Sequence, residues 1–292
     1  MKILITGSGG LVGRALTEHC KNSEDEVIAL SHSDLDIADG EQVKSCIESN
    51  GPQVVINCAA WTDVDACESD PERSNQINAI GPENLANACR HSSALLITIS
   101  TDYVFDGTKD GFYTQRDNPN PLSVYAKSKL EGERRVQESN ANSIIVRTGF
   151  IFGPGGKNFL SNVVQLARAG KHLKGIVDSW GTPTYSVHLA RRLRELALLD
   201  LPGVFHVVNS GAGASFETFA REGLRIGNCP GGYIEPVTMD SLSRPAPRPR
   251  NSKLECLLSK ALGLEPLPEW QEGLRQFVDQ MQSETNGRSE VF

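Results

Sequence analysis

The sequence lacks a long apolar run, an excess of basic residues and any C-x-x-C pair of cysteines. No apolar stretch reaches the length that crosses a membrane, and the chain begins with a strand-like run instead of the regions of a signal peptide. A formal net charge of -7 speaks against nucleic acid as a partner. The 7 cysteines and 6 histidines do not cluster together, which speaks against a zinc site. We therefore expect a cytoplasmic protein with reduced thiols, no membrane segment and no metal.

The chain has the length and composition of an ordinary globular protein. Its 292 residues, 39% hydrophobic and 22% charged, suffice for one large domain or two intertwined ones. Apolar runs alternate with helical patterns up to about residue 150, which predicts an α/β fold with a parallel sheet. We predict one domain from residues 1–150 with a returning segment at about 176–210, and a smaller domain from residues 151–175 and 211–292.

A glycine-rich loop separates the first apolar run from the first helix. Residues 7–13 carry glycine at every third position, a spacing that differs from the G-x-G-x-x-G of long-chain dehydrogenases. Glycine lets backbone N–H groups approach a pyrophosphate, which a helix N-terminus also attracts. A purely structural turn is the alternative, but the position favours a dinucleotide site in a Rossmann-type doubly wound sheet. The predicted contacts are Gly7, Gly10, Leu11, Val12 and Gly13.

The ends of the second and third predicted strands bear on the cofactor. The second strand ends at Ser31, where no carboxylate repels a 2′-phosphate and no arginine clearly binds one. The sequence therefore favours NADPH, or tolerance of both cofactors, over strict use of NADH. Asp36 and Ile37 either flank the adenine or belong to the N-cap of the next helix. Small residues after the third strand let the cofactor lie close, and the predicted contacts there are Ala59, Ala60, Trp61 and Thr62.

Tyr125 and Lys129 are four residues apart in a predicted helix, so their side chains share one face. A neighbouring ammonium favours the phenolate and lowers a tyrosine pKa from its usual value of about 10, which suits acid or base work. The spacing also occurs by chance. It gains weight because the apolar strand at residues 95–103 ends in hydroxyl residues, where an open α/β sheet places its chemistry.

Residues 244–250 alternate arginine and proline, in a chain whose net charge is negative. Guanidinium groups bind phosphate oxygens in a bidentate way, so this loop is a candidate anion site. The alternative is a solvated loop without a ligand.

Several stretches carry a resemblance to a known family: STDYVFDG at residues 100–107, NCAAWT at 57–62 and RPRNS at 248–252, with Tyr125 and Lys129. In these the chain is similar to the dTDP-4-dehydrorhamnose reductases, a branch of the extended short-chain dehydrogenase/reductase family. The resemblance implies NADPH-dependent reduction of the C4 ketone of a dTDP-4-dehydro-6-deoxy sugar, most simply to dTDP-L-rhamnose. It implies Tyr125 as proton donor, Lys129 as its pKa-lowering and ribose-binding neighbour, and Thr101 as a hydrogen-bond donor to the carbonyl oxygen. The implied substrate contacts are Thr101, Asp102, Tyr103, Phe150, Asn158, Arg248 and Asn251, with Arg248 on the diphosphate and Arg250 facing solvent.

Four positions depart from the family pattern. Phe150 stands where a tryptophan is usual and Arg250 where glycine is usual. Ser31 stands where several members carry aspartate, and Ala15 where some members bind a metal between subunits. The sugar, the cofactor preference and the choice between a monomer and a homodimer therefore stay open. Two alternatives also stay open: a reductase of another nucleotide-linked keto sugar, and a non-catalytic regulatory subunit of the methionine adenosyltransferase type. The intact catalytic set favours the enzyme.

Overall fold

A parallel sheet of six strands lies at the centre of this computed structural model, which describes residues 1–229 and 232–289. The central strands are apolar runs buried on both faces, as parallel strands usually are. In chain order the strands are β1 (Lys2–Thr6), β2 (Glu26–Leu30), β3 (Val54–Asn57), β4 (Leu95–Thr101), β5 (Ser143–Thr148), β6 (Ile151–Phe152), β7 (Leu173–Ile176), β8 (Trp180–Gly181), β9 (Thr184–Tyr185), β10 (Gly203–His206), β11 (Ala214–Ser215) and β12 (Ile234–Val237).

The strand order across the central sheet is β2-β1-β3-β4-β5-β10, and all neighbouring pairs are parallel. The order reverses between β1 and β3, and open α/β sheets bind ligands beyond the carboxyl ends of their strands at such a point. The predicted doubly wound parallel sheet is confirmed. One strand lies beyond β1, against two in the usual six-strand dinucleotide fold.

Helices cover both faces of the sheet, and α1 packs beside α8 while α2 packs beside α5. No helix among the described residues is long and apolar enough to cross a membrane. The helices are α1 (Leu11–Asn22), α2 (Gly40–Asn50), α3 (Val64–Ser69), α4 (Pro71–Asn75), α5 (Gly81–Ser92), α6 (Val124–Glu138), α7 (Phe159–Arg168), α8 (Ser186–Leu199), α9 (Phe216–Ile226), α10 (Leu257–Ala261) and α11 (Trp270–Ser289).

Two apolar layers hold these helices to the sheet. On one face, Leu16 of α1 and Leu189 of α8 pack with Ile5 of β1. On the other face, Leu85 of α5 packs with Leu4, the neighbour of Ile5 in the same strand. Successive strand residues point to opposite faces, so one apolar run serves both layers. Each such side chain, fully buried, contributes about 1.5–3 kcal/mol to folding.

A third apolar cluster lies in the C-terminal part of the chain. Phe152, Phe219, Trp270 and Phe277 belong to it, and it joins α9 and α11 to the short strand β6. Strand β10 lies between these segments in sequence, yet pairs with β5 in the central sheet. The predicted boundaries of the two domains stay a prediction.

Two local features stand between β3 and β4. A π-helical turn at Gln76–Ile80 separates α4 from α5. Pro82 has no N–H to donate to the carbonyl of Asn78 four residues earlier, so the regular ladder cannot continue there. The acidic segment at residues 63–70 contains α3, whose first turn is capped by the Asp63 carboxylate.

Candidate active site

The carboxyl ends of β1, β3 and β4 are joined by a buried hydrogen-bond network around Asn57. Its Oδ1 accepts from Thr6 Oγ1 at 2.7 Å and from the Ala59 backbone N–H at 3.1 Å. Its Nδ2 donates to Thr98 Oγ1 at 3.1 Å. Because all three polar side chains are buried, these bonds fix the loops that leave the three strands.

The glycine loop between β1 and α1 leaves no room for side chains. A Cβ on Gly7, whose φ is +64°, would lie 2.6 Å from the Ala59 nitrogen. A Cβ on Gly13 would lie 2.2 Å from the Gly7 carbonyl oxygen, so Gly13 serves the packing of helix against loop. No side chain caps α1 at Gly10, which leaves the first N–H groups of the helix available to an anion. The loop therefore fits a pyrophosphate.

A cavity of 350 Å³, which we call the glycine-side cavity, lies at this loop. The predicted cofactor contacts that line it are Gly7, Gly10, Ser31, Asp36, Ile37, Ala59, Ala60 and Trp61. The N-cap of α2 is Asp39, whose Oδ1 accepts from two backbone N–H groups at 3.0 and 3.1 Å. The N-cap alternative for Asp36 is therefore wrong.

The end of β2 carries a carboxylate that sequence reasoning missed. Asp34 Oδ2 accepts from the Ser31 hydroxyl at 2.6 Å and from the Ser31 N–H at 2.8 Å. These bonds lower the pKa of the Asp34 carboxyl, so the group is ionised at neutral pH. Contrary to the expectation from the sequence, a carboxylate does stand at this strand end, because the turn brings Asp34 back beside Ser31.

Two further residues at this cavity carry no sequence motif. The Arg73 guanidinium stacks over Trp61, 4.6 Å from the ring centroid, and lines the glycine-side cavity. Within the described ranges it forms no ion pair. Asn78 in the π-helical turn accepts from the Trp61 N–H at 2.9 Å and donates to the Trp61 carbonyl at 3.0 Å. Asn78 thus holds the loop that carries Trp61.

A larger cavity of 470 Å³, the central cavity, continues from the glycine loop past the ends of β4 and β5. It brings together Thr101, Tyr125 and Lys129, the three predicted catalytic residues. The other predicted site residues that line it are Gly10, Leu11, Val12, Ala59, Ala60, Thr62, Asp102, Tyr103, Phe150 and Asn158. Helix α6 presents Tyr125 and Lys129 one turn apart, and the Ser123 hydroxyl caps its first turn.

Burial dominates the protonation of Tyr125. The residue is 8% exposed, and burial raises its pKa, with a hydrogen bond to Thr101 acting in the opposite direction. The expected lowering of this pKa by Lys129 is not what the structure shows, because burial of the phenol outweighs it, and Lys129 Nζ donates to the Ile99 carbonyl at 2.7 Å. A phenol with a raised pKa stays protonated at neutral pH and can act there as an acid.

Lys129 is itself buried, and burial lowers its pKa to about 8, while the carboxylate of Glu133 acts to raise it. One of its three N–H donors serves the Ile99 carbonyl, which leaves two for a ligand. Glu133 lies one turn further along α6 and pairs with Arg147 at 2.6 Å, also accepting from Ser100 Oγ at 2.5 Å. This buried network, missed by sequence reasoning, ties α6 to β4 and β5.

Asp102 and Tyr103 follow Thr101 in a 3₁₀ turn. Burial raises the Asp102 pKa to about 6. A hydrogen bond of 2.5 Å from Ser252 Oγ acts to lower it. The Asp102 carboxyl is therefore engaged by the C-terminal part of the chain. The Tyr103 ring meets Tyr125 edge to face, with centroids 6.3 Å apart.

An aromatic cluster lines part of the central cavity. Phe150 has a left-handed φ of +53°, a conformation that is uncommon for a residue with a bulky side chain. Its ring lies 4.3 Å from that of Phe216, which in turn neighbours Phe159 at 6.3 Å. A Cβ on Gly181 would lie 2.7 Å from the Phe150 ring. Sequence reasoning found Phe150 and missed the other two, which come from distant segments.

The arginines of the predicted anion site line a separate cavity of 510 Å³, which we call the arginine cavity. The Arg248 guanidinium is held by Asp65 of α3, with N–O distances of 2.7 and 2.9 Å. Arg250 is half exposed, as expected, but it pairs with Asp178 and Asp240. The structure therefore does not place Arg248 in the central cavity with the catalytic set.

The two predicted asparagines have structural partners. Asn251 lines neither the central nor the arginine cavity, and its Nδ2 donates to the carbonyls of Lys109 at 2.6 Å and Gly111 at 2.7 Å. Asn158 lines the central cavity, but its Oδ1 caps α7 by accepting from the Ser161 N–H at 2.9 Å. Both side chains fix loops around the site.

Comparisons with known proteins identify the family of the chain. The family described as RmlD substrate binding domain matches residues 1–283. A dTDP-4-dehydrorhamnose reductase of Streptomyces griseus is 38% identical over 279 residues, covering 94% of this chain and 91% of that protein. A solved dTDP-4-dehydrorhamnose reductase of Clostridium acetobutylicum has 39% identity and a TM-score of 0.92, covering 97% of this chain and 100% of that one. Another, of Bacillus anthracis in complex with NADP, has 33% identity and a TM-score of 0.92, covering 96% and 100%. The chain therefore belongs to the RmlD family of dTDP-4-dehydrorhamnose reductases, as its sequence motifs predict.

Proposed function

We propose that this protein reduces the C4 ketone of a dTDP-4-dehydro-6-deoxy sugar with NADPH, converting dTDP-4-dehydro-L-rhamnose to dTDP-L-rhamnose. The observation that carries the proposal is the meeting of Thr101, Tyr125 and Lys129 in one cavity that continues from the glycine loop. The names of the relatives support the substrate, and the NADP bound to the Bacillus anthracis protein supports the cofactor.

The reaction needs a hydride and a proton. NADPH, when bound, supplies the hydride to the carbonyl carbon. Tyr125 donates the proton to the carbonyl oxygen as negative charge develops there, and its raised pKa keeps it protonated until that moment. Thr101 donates its single hydroxyl proton in a hydrogen bond to the same oxygen. Lys129 binds the nicotinamide ribose with its two remaining N–H donors.

The remaining cofactor contacts follow the two cavities. The glycine-side cavity binds the adenosine part of the cofactor. The loop at Gly7 and Gly10 binds its pyrophosphate. Arg73 attracts a 2′-phosphate, whereas Asp34 repels one, so the two groups act in opposite directions on the choice of cofactor. The NADP bound to the Bacillus anthracis relative supports NADPH as the cofactor, and we propose that NADH is also accepted. On the substrate side, Phe150 and Tyr103 contact the sugar, and the arginine cavity receives the diphosphate.

Two alternatives remain distinct from this proposal. A reductase of another nucleotide-linked keto sugar is favoured by Phe150, because the ring that faces the sugar differs from the tryptophan usual in the family. A regulatory subunit of the methionine adenosyltransferase type is disfavoured, because the complete catalytic set lines one cavity.

We also propose the division of the chain that the sequence predicts. Residues 1–150, with the returning segment at about 176–210, bind the cofactor, and residues 151–175 and 211–292 bind the substrate. The separate apolar cluster in the C-terminal part supports this division. All seven cysteines are free, which supports work in the reducing cytoplasm. We propose that the protein acts as a monomer or homodimer and binds a nucleotide sugar together with the cofactor.

A coupled assay tests the proposed reaction. Incubation with dTDP-4-dehydro-L-rhamnose and NADPH should consume NADPH and yield dTDP-L-rhamnose, identified by nuclear magnetic resonance. Turnover with a different nucleotide-linked keto sugar alone would establish the first alternative. Absence of any turnover, together with stoichiometric binding of a methionine adenosyltransferase, would establish the second.

A further inference from the structure

The three arginines of the arginine cavity differ in how their charges are used. Both terminal nitrogens of Arg248 donate hydrogen bonds to the Asp65 carboxylate. One of them also donates to the Ala246 carbonyl at 2.9 Å. Arg250 is matched by the carboxylates of Asp178 and Asp240. Arg244 lines the same cavity but forms no hydrogen bond or ion pair with any residue of the described ranges.

Asp65 is placed to orient the loop. Besides the two bonds from Arg248, its carboxylate accepts from the backbone N–H of Ala246 at 3.1 Å. The Arg248 side chain is 12% exposed and that of Asp65 is 35% exposed, so the guanidinium is shielded while the carboxylate is partly solvated. A bidentate pair with one shielded partner is costly to break by removing the carboxylate. The Asp65–Arg248 contact therefore braces the loop against α3 and leaves Arg248 little freedom to turn to a phosphate.

Arg244 has the opposite character. Its side chain is exposed at the rim of the cavity, and partial desolvation and the nearby Arg248 guanidinium lower its pKa, whereas Tyr103 and Asp65 act in the other direction. All five N–H donors of this side chain are available, and a second positive charge lies close by. An anion with several oxygens would satisfy these donors and relieve the repulsion between the two guanidinium groups.

Tyr103 connects the arginine cavity with the predicted catalytic residues. The Tyr103 ring lies against Tyr125 on one side and within electrostatic reach of Arg248 and Arg244 on the other. Tyr103 therefore stands between the proposed proton donor and the arginines. A sugar with its C4 at Tyr125 would place its anomeric phosphate past Tyr103, towards the arginine cavity.

We infer that Arg244 is the guanidinium that binds the diphosphate of the nucleotide sugar directly, and that Asp65 and Arg248 act as a positioning pair for its loop. This inference rests on the proposed function for the identity of the substrate. It changes the expectation from the sequence, in which Arg248 is the diphosphate ligand, because Arg248 is already bonded to Asp65.

The test separates binding from stability. Calorimetric titration with dTDP, in the absence of turnover, should show that Arg244→Ala weakens dTDP binding about 10- to 100-fold, the usual result of losing a charged hydrogen-bond partner. The same variant should keep the wild-type midpoint of urea unfolding and the wild-type affinity for NADP⁺. Arg248→Ala and Asp65→Ala should each lower the midpoint, and the double variant should be about as unstable as the worse single one. Arg90→Ala, an exposed arginine on α5, is the control and should change neither quantity.

The outcomes distinguish this inference from the proposed function. Unchanged dTDP affinity in Arg244→Ala overturns the inference even if the wild type turns over the predicted sugar. A midpoint loss in Arg244→Ala equal to that of Arg248→Ala also overturns it, because it would assign Arg244 a structural role. Failure of wild-type protein to bind dTDP overturns both. Arg244-dependent dTDP binding without reductase turnover supports the inference while the proposed function fails.

Discussion

Replacing Lys129 with methionine should change how the stability of the free protein depends on pH. The side chain is 5% exposed, and burial lowers its pKa from 10.5 to about 8. The difference corresponds to about 3 kcal/mol by which burial disfavours the charged lysine in the folded state. Methionine keeps the unbranched chain and removes the charge, so Lys129→Met lacks this penalty at neutral pH.

The direction of the pH effect follows from proton binding. Below pH 8 both the folded and the unfolded forms carry the proton, and the penalty is complete. Between pH 8 and 10.5 the unfolded form binds more protons than the folded form, so the free energy of unfolding rises with pH. We expect the wild type to gain about 1.4 kcal/mol per pH unit relative to Lys129→Met above pH 8, or about 2 kcal/mol by pH 9.5.

Urea unfolding of both proteins between pH 7 and 10 measures this difference. All other groups titrate in both proteins, so their effects cancel in the comparison. Lys127→Met, at an exposed position of the same helix, is the matched control and should run parallel to the wild type. Parallel curves for wild type and Lys129→Met would refute the burial of a charged lysine in the central cavity.

Three further predictions concern the site and its surroundings. Tyr125→Phe should keep cofactor affinity and lose about 10²- to 10⁴-fold in kcat at saturating substrate, the usual contribution of a positioned acid; near-normal turnover would remove Tyr125 from the mechanism. Asp34→Asn should raise the ratio of kcat/KM for NADPH to that for NADH, and Arg73→Ala should lower it. Each change should be about tenfold or less, because both groups are exposed. If both variants change the ratio in the same direction, the opposite effects assigned to the two charges are wrong. The His206 pKa is lowered to about 4 by burial and by Arg147, so the unfolded form binds more protons between pH 4 and 6.5 and stability falls as pH falls through that window. His206→Gln should flatten this slope in chemical unfolding, and an unchanged slope would count against the burial of a neutral imidazole.

The arrangement of charges at the end of β2 shows a limit of reading cofactor preference from one position. The sequence places serine at residue 31, which by itself favours a 2′-phosphate. The fold adds Asp34 through the turn and Arg73 from α4, with opposite effects on the same cavity. Cofactor preference depends on the difference between the repulsion of a 2′-phosphate by Asp34 and its attraction by Arg73. Neither effect can be read from the residue at position 31 alone.

Local pattern determined much of this protein. Glycine spacing, apolar runs and the Tyr125–Lys129 spacing depend on backbone geometry over a few residues, so they predict the parallel sheet, the loop after β1 and the helix that carries both side chains. Membership of the family follows from the same motifs. Each of these features lies within a single helix, strand or loop, where the period of the apolar residues and the backbone geometry determine which side chains share a face.

Other features depend on contacts between segments far apart in sequence. Burial, rather than the nearby ammonium, sets the direction of the Tyr125 pKa, and burial is a property of the whole fold. Asp65 and Arg248 are 183 residues apart, yet their pairing decides which arginine is left for a ligand. The sequence by itself determined which chemical groups the protein has and which elements carry them. The tertiary structure decided which groups neutralise one another, because desolvation and charge pairing act through space and not along the chain.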